Sequence, residues 1–454
     1  MNTKPRFQPS RVFLLPAAAV LLAALLPSVG FAQARAASEG AGKFTGPGSC
    51  ASTACHGAIT PQSINDVLQN EYSTWIVKDK HAQSYKALTG MVGERMAGIL
   101  GLGKAENAPR CLACHALNPR PELRSRTFDV TEGVSCESCH GPASGWLGPH
   151  TERNWTHAQS VAAGMVDTRD VATRAEKCLD CHLGGEDKYV DHEMIAAGHP
   201  DLFFELDSFS AVMPRHWKEP GEPGESAGSD PWYDIRELAI GQAVQLRESM
   251  NRLAGRAKGK NWPEYSEMQC YACHHSLTPP EQSWRQARGY PGRRAGDPPW
   301  NASRYAVFRD VARQLDGADA GRLDQQIAQL AGLMSRLNPD RDAVAAAAMD
   351  SALTVHSLMA KVQSAAYDSA ATLQLLKTIC GDADEISAEG EQAAAQAAMA
   401  IQSLFVAYDR GARLANSAAI RAAISALFDQ LQAPSAYDPA RFSRQMQQVN
   451  ALLR

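Results

Sequence analysis

The sequence predicts a mainly α protein in two parts: a loop-rich N-terminal part organised by cysteine–histidine motifs, and a C-terminal α-helical bundle. Three observations lead there. Ten of the 11 cysteines fall in five close pairs, each followed at once by a histidine, all between residues 50 and 274. From Asn301 the motifs stop and the composition turns to Ala, Gln and Leu, with apolar residues at three- and four-residue steps. Few strands are needed to account for the rest. The 454 residues, 44% hydrophobic and 21% charged, hold material for two or three domains. They exclude a disulfide miniprotein, a collagen and a wholly disordered tail.

The first element is a targeting segment. Lys4, Arg6 and Arg11 precede an apolar run from Val12 to Leu26, and Ala32-Gln33-Ala34 presents small residues at a cleavage site. The run is shorter than the ~20 residues of a spanning helix. The expectation is a signal peptide over residues 1–34 and a periplasmic or otherwise exported protein with no membrane span after cleavage. Losing three basic residues and no acidic one moves the net charge from −4 to −7. An acidic chain without a basic cluster is a poor nucleic-acid binder.

The motifs read Cys111-Leu-Ala-Cys114-His115, Cys136-Glu-Ser-Cys139-His140, Cys178-Leu-Asp-Cys181-His182 and Cys270-Tyr-Ala-Cys273-His274. A fifth, Cys50 to Cys55-His56, has four residues between its cysteines. C-x-x-C-H is the covalent attachment sequence of c-type haem: two thioethers hold the porphyrin edge and the adjacent histidine reaches the iron. A random chain of this composition holds roughly 0.01 such matches. Disulfides leave five trailing histidines unexplained. Zinc sites make poor use of an adjacent histidine, and thioredoxin-like pairs need a βαβ context. The cofactor expectation is five covalently bound haem c, with proximal ligands His56, His115, His140, His182 and His274.

Eight histidines remain for the opposite face of the irons. His81 lies in a helix-compatible stretch after Trp75, and His150 in a Gly/Pro-rich loop after the Cys136–His140 motif. His199 stands between Gly198 and Pro200, a helix end, and His192 is seven residues earlier on nearly the same helical face. With His216 these are the distal candidates: His81, His150, His199, His192 and His216. His157 and His275 read as hydrogen-bonding or surface residues, and His356 as an ordinary helical histidine.

The segment Ser49–Leu183 resembles the tetrahaem cytochrome c-554 family. The likeness rests on the opening motif followed by Trp75 and His81-Ala, on Cys111–His115, and on Gly133-Val-Ser-Cys136-Glu-Ser-Cys139-His140-Gly-Pro. It continues through the loop to His150 and the motif Cys178–His182. The resemblance implies a helical, loop-rich fold around stacked haem pairs, electron transfer as the role, and His81 and His150 as distal ligands. In that family the haem corresponding to Cys111–His115 can lack a strong distal ligand. Three departures stand out: the four-residue spacer in the first motif, the added fifth motif, and the absence of a histidine in Val171–Lys177.

The remaining elements follow in order. Residues 219–230 read as a surface loop, and Asp234–Gly255 as a helix. A Pro/Gly-rich stretch with Arg285, Arg288, Arg293 and Arg294 reads as a connector, or as a source of guanidinium partners for haem propionates. Beyond it, Leu323, Ile327, Leu330, Met334 and Leu337 mark an amphipathic helix, and Asn338-Pro339-Asp340 a stop and restart. Helices follow near Asp340–Gln363, Ser369–Cys380, Ala388–Tyr408, Ala415–Leu431 and Pro439–Leu453. Cys380 is unpaired and reads as a buried, inert thiol. The division is thus signal peptide 1–34, pentahaem cytochrome c domain 35–282, connector 283–300 and helical bundle 301–454.

Two functions fit. The first is a multihaem electron carrier between redox partner proteins, with the bundle as a lid or docking module. The second is a reductase or oxidase of a small nitrogen or sulfur compound at a haem with an open axial position. No Cys-x-x-Cys-Lys motif is present to mark such a haem, which favours the carrier and leaves no catalytic residue to name.

Overall fold

A C-x-x-C-H run places its two sulfurs and its histidine at i, i+3 and i+4, on one face of a helical turn. In the computed structural model three of the motifs are the last turn of a helix: Pro109–His115, Cys136–His140 and Val171–His182. Each helix stops at its histidine. Ala116 leaves in an extended conformation, and Gly141 leaves at φ 78°, where a Cβ would stand 3.0 Å from the carbonyl oxygen of Gly164. The first motif takes another route to the same end. Its four-residue spacer turns back so that the His56 amide donates to the Cys50 carbonyl at 3.2 Å.

The structure describes residues 42–62, 67–185, 188–220, 222, 230–270, 274, 298–433 and 436–453. The signal-peptide segment, Cys273, His275, the four connector arginines and most of the 219–230 loop lie outside the described residues. Among the described residues the chain is mainly α, with isolated bridges at Phe44–Arg124 and Met268–Trp300 and no strand. From Glu71 to Val212 the helices are short and joined by loops.

The C-terminal part is built from longer helices. Tyr233–Lys258 is buried over most of its length and packs on Arg341–Ser364, which also packs on Gly317–Met334. Ser369–Gly381 packs on Glu391–Ala412 and on Pro439–Leu452, and Ser417–Asp429 closes against the last of these. Phe308, Phe405, Phe442, Leu323 and Leu330 are fully buried in this core, and so is Cys380, whose thiol burial pushes up to about 12. Asp340 caps Arg341–Ser364 by accepting from the Ala343 amide at 3.0 Å, which is the expected restart. The helix expected over Ala388–Tyr408 is present as Glu391–Ala412, and it starts three residues later because Gly390 at φ 112° separates it from the preceding helix Ala383–Ala388. By length and composition Arg341–Ser364 is also apolar enough to cross a membrane, and 56% of that window is buried inside the fold, as in a core helix.

Tyr233–Lys258 ties the two parts together, since it also packs on Val171–His182 and Leu206–Val212. Gly241 makes this possible: a Cβ there would lie 2.6 Å from Leu206 Cβ. Further along, Glu267 receives Arg252 at 3.1 Å and Arg256 at 2.6 Å, while Arg252 donates to the Leu183 carbonyl at 2.8 Å. That buried cluster joins the exit of the Cys178–His182 motif to the approach to Cys270.

Candidate haem-binding site

The first four motifs open onto one cavity of about 2110 Å³. It is at least twice the ~300–1,000 Å³ of an ordinary small-molecule pocket. Both cysteines and the histidine of each of these motifs line it, together with His81, His150, His157, His199 and His216. Motifs far apart in sequence touch inside it. The Cys50 and Cys136 thiols lie close enough to shift each other's proton affinity, as do those of Cys114 and Cys181. Cys139 lies close enough to Cys178 for its charge to raise the Cys178 thiol's proton affinity.

Each motif histidine with a measured ring neighbour across it faces one of the distal candidates. His56 and His150 have ring centroids 6.2 Å apart, His182 and His81 6.1 Å, His115 and His199 6.3 Å, and His274 and His192 6.3 Å. His216 is the histidine whose charge bears most on His140. A 6 Å gap is too wide for a hydrogen bond between the rings. Two metal–imidazole bonds of about 2.0–2.1 Å, each continued ~1.1 Å from nitrogen to ring centre, give about 6.3 Å. His192 and His199 do not share a helical face, as their spacing suggests. The helix His192–Ala196 ends, Gly198 takes φ 112°, and the two rings turn to different partners.

Hydrogen bonds orient five of these rings alike. Nδ1 of His56 bonds Glu71 Oε2 at 2.8 Å and Nδ1 of His81 bonds Asp79 Oδ1 at 2.9 Å. Nδ1 of His115, His150 and His199 donates to the carbonyls of Ser84, Leu147 and Pro200 at 3.1, 2.6 and 2.7 Å. A neutral imidazole that donates from Nδ1 carries its lone pair on Nε2, the nitrogen left for a metal. His157 does the reverse: its Nε2 bonds Asp167 Oδ1 at 2.9 Å, in line with its reading as a hydrogen-bonding residue. His356 sits exposed on Arg341–Ser364.

The carboxylate partners raise the proton affinity of His56 and His81. Burial lowers that of His115, and it pushes His140 and His182 down to about 4, assisted by the neighbouring charges of His216 and His81 respectively. A ring that resists protonation keeps its lone pair available for coordination.

The cavity wall also tests whether a haem suits it. Nε of Arg110, Nε of Arg174, Oγ of Ser138 and Nε1 of Trp146 are buried without a hydrogen-bond partner, and all four residues line the cavity. Buried donors of this kind call for an acceptor, and a propionate carboxylate matches a guanidinium. Val67, Val92 and Val212 line the same space yet are 41%, 68% and 79% exposed, apolar surface suited to a porphyrin face. The residues fit the group.

Several functional side chains escaped the sequence reading. Glu137 lies inside a motif, 2% exposed, and accepts from the amides of Thr45, Gly46 and Ala143 at 2.7–2.9 Å, pinning the N-terminal segment to the Cys136–His140 turn. Ser84 donates to the carbonyls of His81 and His115 at 2.7 and 2.8 Å, so one hydroxyl spaces two sites. Gly133, at φ 69°, lets the chain pass there: a Cβ would meet Ser84 Oγ at 2.8 Å. Asp79, two residues before a candidate histidine, carried a local signal. Glu71, fifteen residues from His56, carried none.

The family described as "Cytochrome c554 and c-prime" has a model that matches residues 50–141. That match supports a c-type cytochrome with covalently bound haem c and a role in electron transfer. It spans the first three motifs and His81, and stops before His150, Cys178–His182 and Cys270–His274. No curated protein matches the chain, and no solved structure does.

Proposed function

We propose that this protein is an exported, periplasmic pentahaem cytochrome that passes electrons between redox partner proteins. The observation that carries the proposal is the set of four imidazole pairs at 6.1–6.3 Å. In this reading the thioethers form at Cys50 and Cys55, Cys111 and Cys114, Cys136 and Cys139, Cys178 and Cys181, and Cys270 and Cys273. The histidines that would hold the irons pair as His56/His150, His115/His199, His140/His216, His182/His81 and His274/His192. Bound haem supplies an iron that takes up and releases one electron.

The chain's own part is geometric. The thiol pairs Cys50–Cys136 and Cys114–Cys181, with Cys139 beside Cys178, support the order His56, His140, His182, His115 along the wire. The Arg110–Asp191 ion pair, one residue from Cys111 and one from His192, extends that order to the fifth site. Paired imidazoles at a site would hold an iron alike in both oxidation states, leaving little to reorganise when an electron moves. Among the described residues none beyond residue 300 lines the cavity, and in this reading the C-terminal helices serve as the surface for partner docking.

A second imidazole opposite His115 speaks against the reductase reading at the site where the related family can leave an iron open. Ligand variants test this. EPR of the ferric holoprotein should show low-spin haem throughout, with one haem turning high-spin in His199→Ala, another in His81→Ala and none in His157→Ala. A high-spin haem in the unmodified protein that shifts on adding nitrite or hydroxylamine would overturn the carrier in favour of the enzyme.

A further inference from the structure

The ring partners of the axial histidines fall into two chemical classes. Glu71 and Asp79 offer carboxylates to His56 and His81, whereas His115, His150 and His199 have backbone carbonyls. The two carboxylates are held in place before any ring is considered. Glu71 Oε1 accepts the amides of Leu68 and Gln69 at 2.7 and 3.0 Å, leaving Oε2 for His56. Asp79, 4% exposed, caps the turn Lys80–Gln83 by accepting the His81 amide at 3.0 Å with the same oxygen that meets the ring.

An anionic acceptor draws the Nδ1 proton harder than a neutral carbonyl does, and leaves more negative charge on Nε2. A more basic axial nitrogen stabilises the ferric ion more than the ferrous one, and so lowers the reduction potential. The buried negative charge acts in the same direction. The His115/His199 pair has a carbonyl behind both rings and receives neither effect.

We propose that Glu71 and Asp79 are potential-setting positioning residues, which hold the irons of His56/His150 and His182/His81 below the iron of His115/His199. The proposal rests on the axial pairs of the preceding section and adds to them the source of a gradient along the wire. The charge of Asp79 also acts on His216, so its influence reaches the neighbouring His140 site. No covalent step is involved: each iron gains one electron from a chemical reductant such as dithionite and keeps both ligands.

The test is a potentiometric titration of the mature holoprotein, followed by optical and EPR spectra, for Asp79→Asn, Glu71→Gln, Asp79→Glu and Asp167→Asn. In Asp79→Asn one low-spin component should become easier to reduce by about tenfold in its oxidised-to-reduced ratio, or ~59 mV for a one-electron couple. Glu71→Gln should move a different component the same way. Asp79→Glu should restore the original value, and Asp167→Asn, whose partner His157 holds no iron, should change nothing. Unchanged midpoints in both Asp79→Asn and Glu71→Gln, with every haem still low-spin, would overturn the proposal. A switch to high-spin haem would overturn it too, because the carboxylates would then serve only to hold the rings. If Asp79→Asn does not fold, Glu71→Gln decides. A wild-type protein without haem would remove the function proposed above and this tuning with it, a distinct result from intact haems at unshifted potentials.

Discussion

Two regions of one chain solve the core problem in opposite ways. From Tyr233 onward the described helices bury Leu, Ile, Phe and Ala against one another, and their largest side chains are fully enclosed. Between Phe44 and Val212 a small apolar cluster forms around Leu88 and Leu112, side chains from Val171 to Leu206 join the helical core, and the centre is a cavity of about 2110 Å³ walled by thiols and imidazoles. A close-packed interior is self-sufficient. A hollow one, with unpartnered arginine nitrogens and exposed valines on its walls, is complete only when a large group with an apolar face and carboxylates fills it. The difference teaches that bound haem would complete the core of the first region, whereas the second completes its own from side chains.

The largest effect should come from withholding haem. In a host without cytochrome c maturation, limited proteolysis with mass spectrometry should cut throughout residues 42–220 and spare the helices between Ser303 and Asp429. Equal protection of both regions would break the comparison. Next is Phe405→Ala, which removes a side chain 1% exposed. A large-to-small change there should cost about 3–5 kcal/mol in thermal or denaturant unfolding of the bundle, with the haem spectrum unchanged.

A pH effect of slightly smaller size comes from Glu389 in the packed region. Burial raises Glu389 from 4.5 to about 7, opposed by Arg309. Its folded form therefore holds the proton more tightly than the unfolded form does. The associated stability is fully present below pH 4.5, is lost as pH rises toward 7, and is constant above that. Over this window the loss is about 3 kcal/mol. Glu389→Gln should remove that share of the slope in pH-dependent unfolding, and an identical slope in the variant would refute the assignment. Asp310, raised to about 7 by burial and by Asp382, adds a slope of the same sign. The smallest effect sharpens the hollow side. Glu137→Gln weakens the bonds to Thr45, Gly46 and Ala143 and should cost about 1–3 kcal/mol, seen as earlier thermal loss of low-spin haem.

Local chemistry decided what could be read in advance. The motifs announce themselves because thioether attachment needs its three residues adjacent in sequence. The helices near Asp340, Ser369 and Pro439 follow from caps and three- to four-residue apolar steps that are likewise local. Gly390 moved the start of an expected helix to Glu391, because its φ of 112° is a property of the packed structure. The pairing of distal with proximal histidines was beyond reach, since it depends on how loops close: His150 meets His56 ninety-four positions away, while His81 passes over the nearer motifs for His182. Glu71 was illegible for the same reason. One carboxylate among 49 acidic residues carries no mark until a ring stands beside it.

The claim beneath all of this is that the hollow region closes around covalently attached haem. Intact-mass measurement of the exported protein, paired with a pyridine haemochrome assay, tests it most directly. The expected result is a chain carrying five haem c groups that survive denaturation. A colourless, folded protein at the bare polypeptide mass would contradict the account.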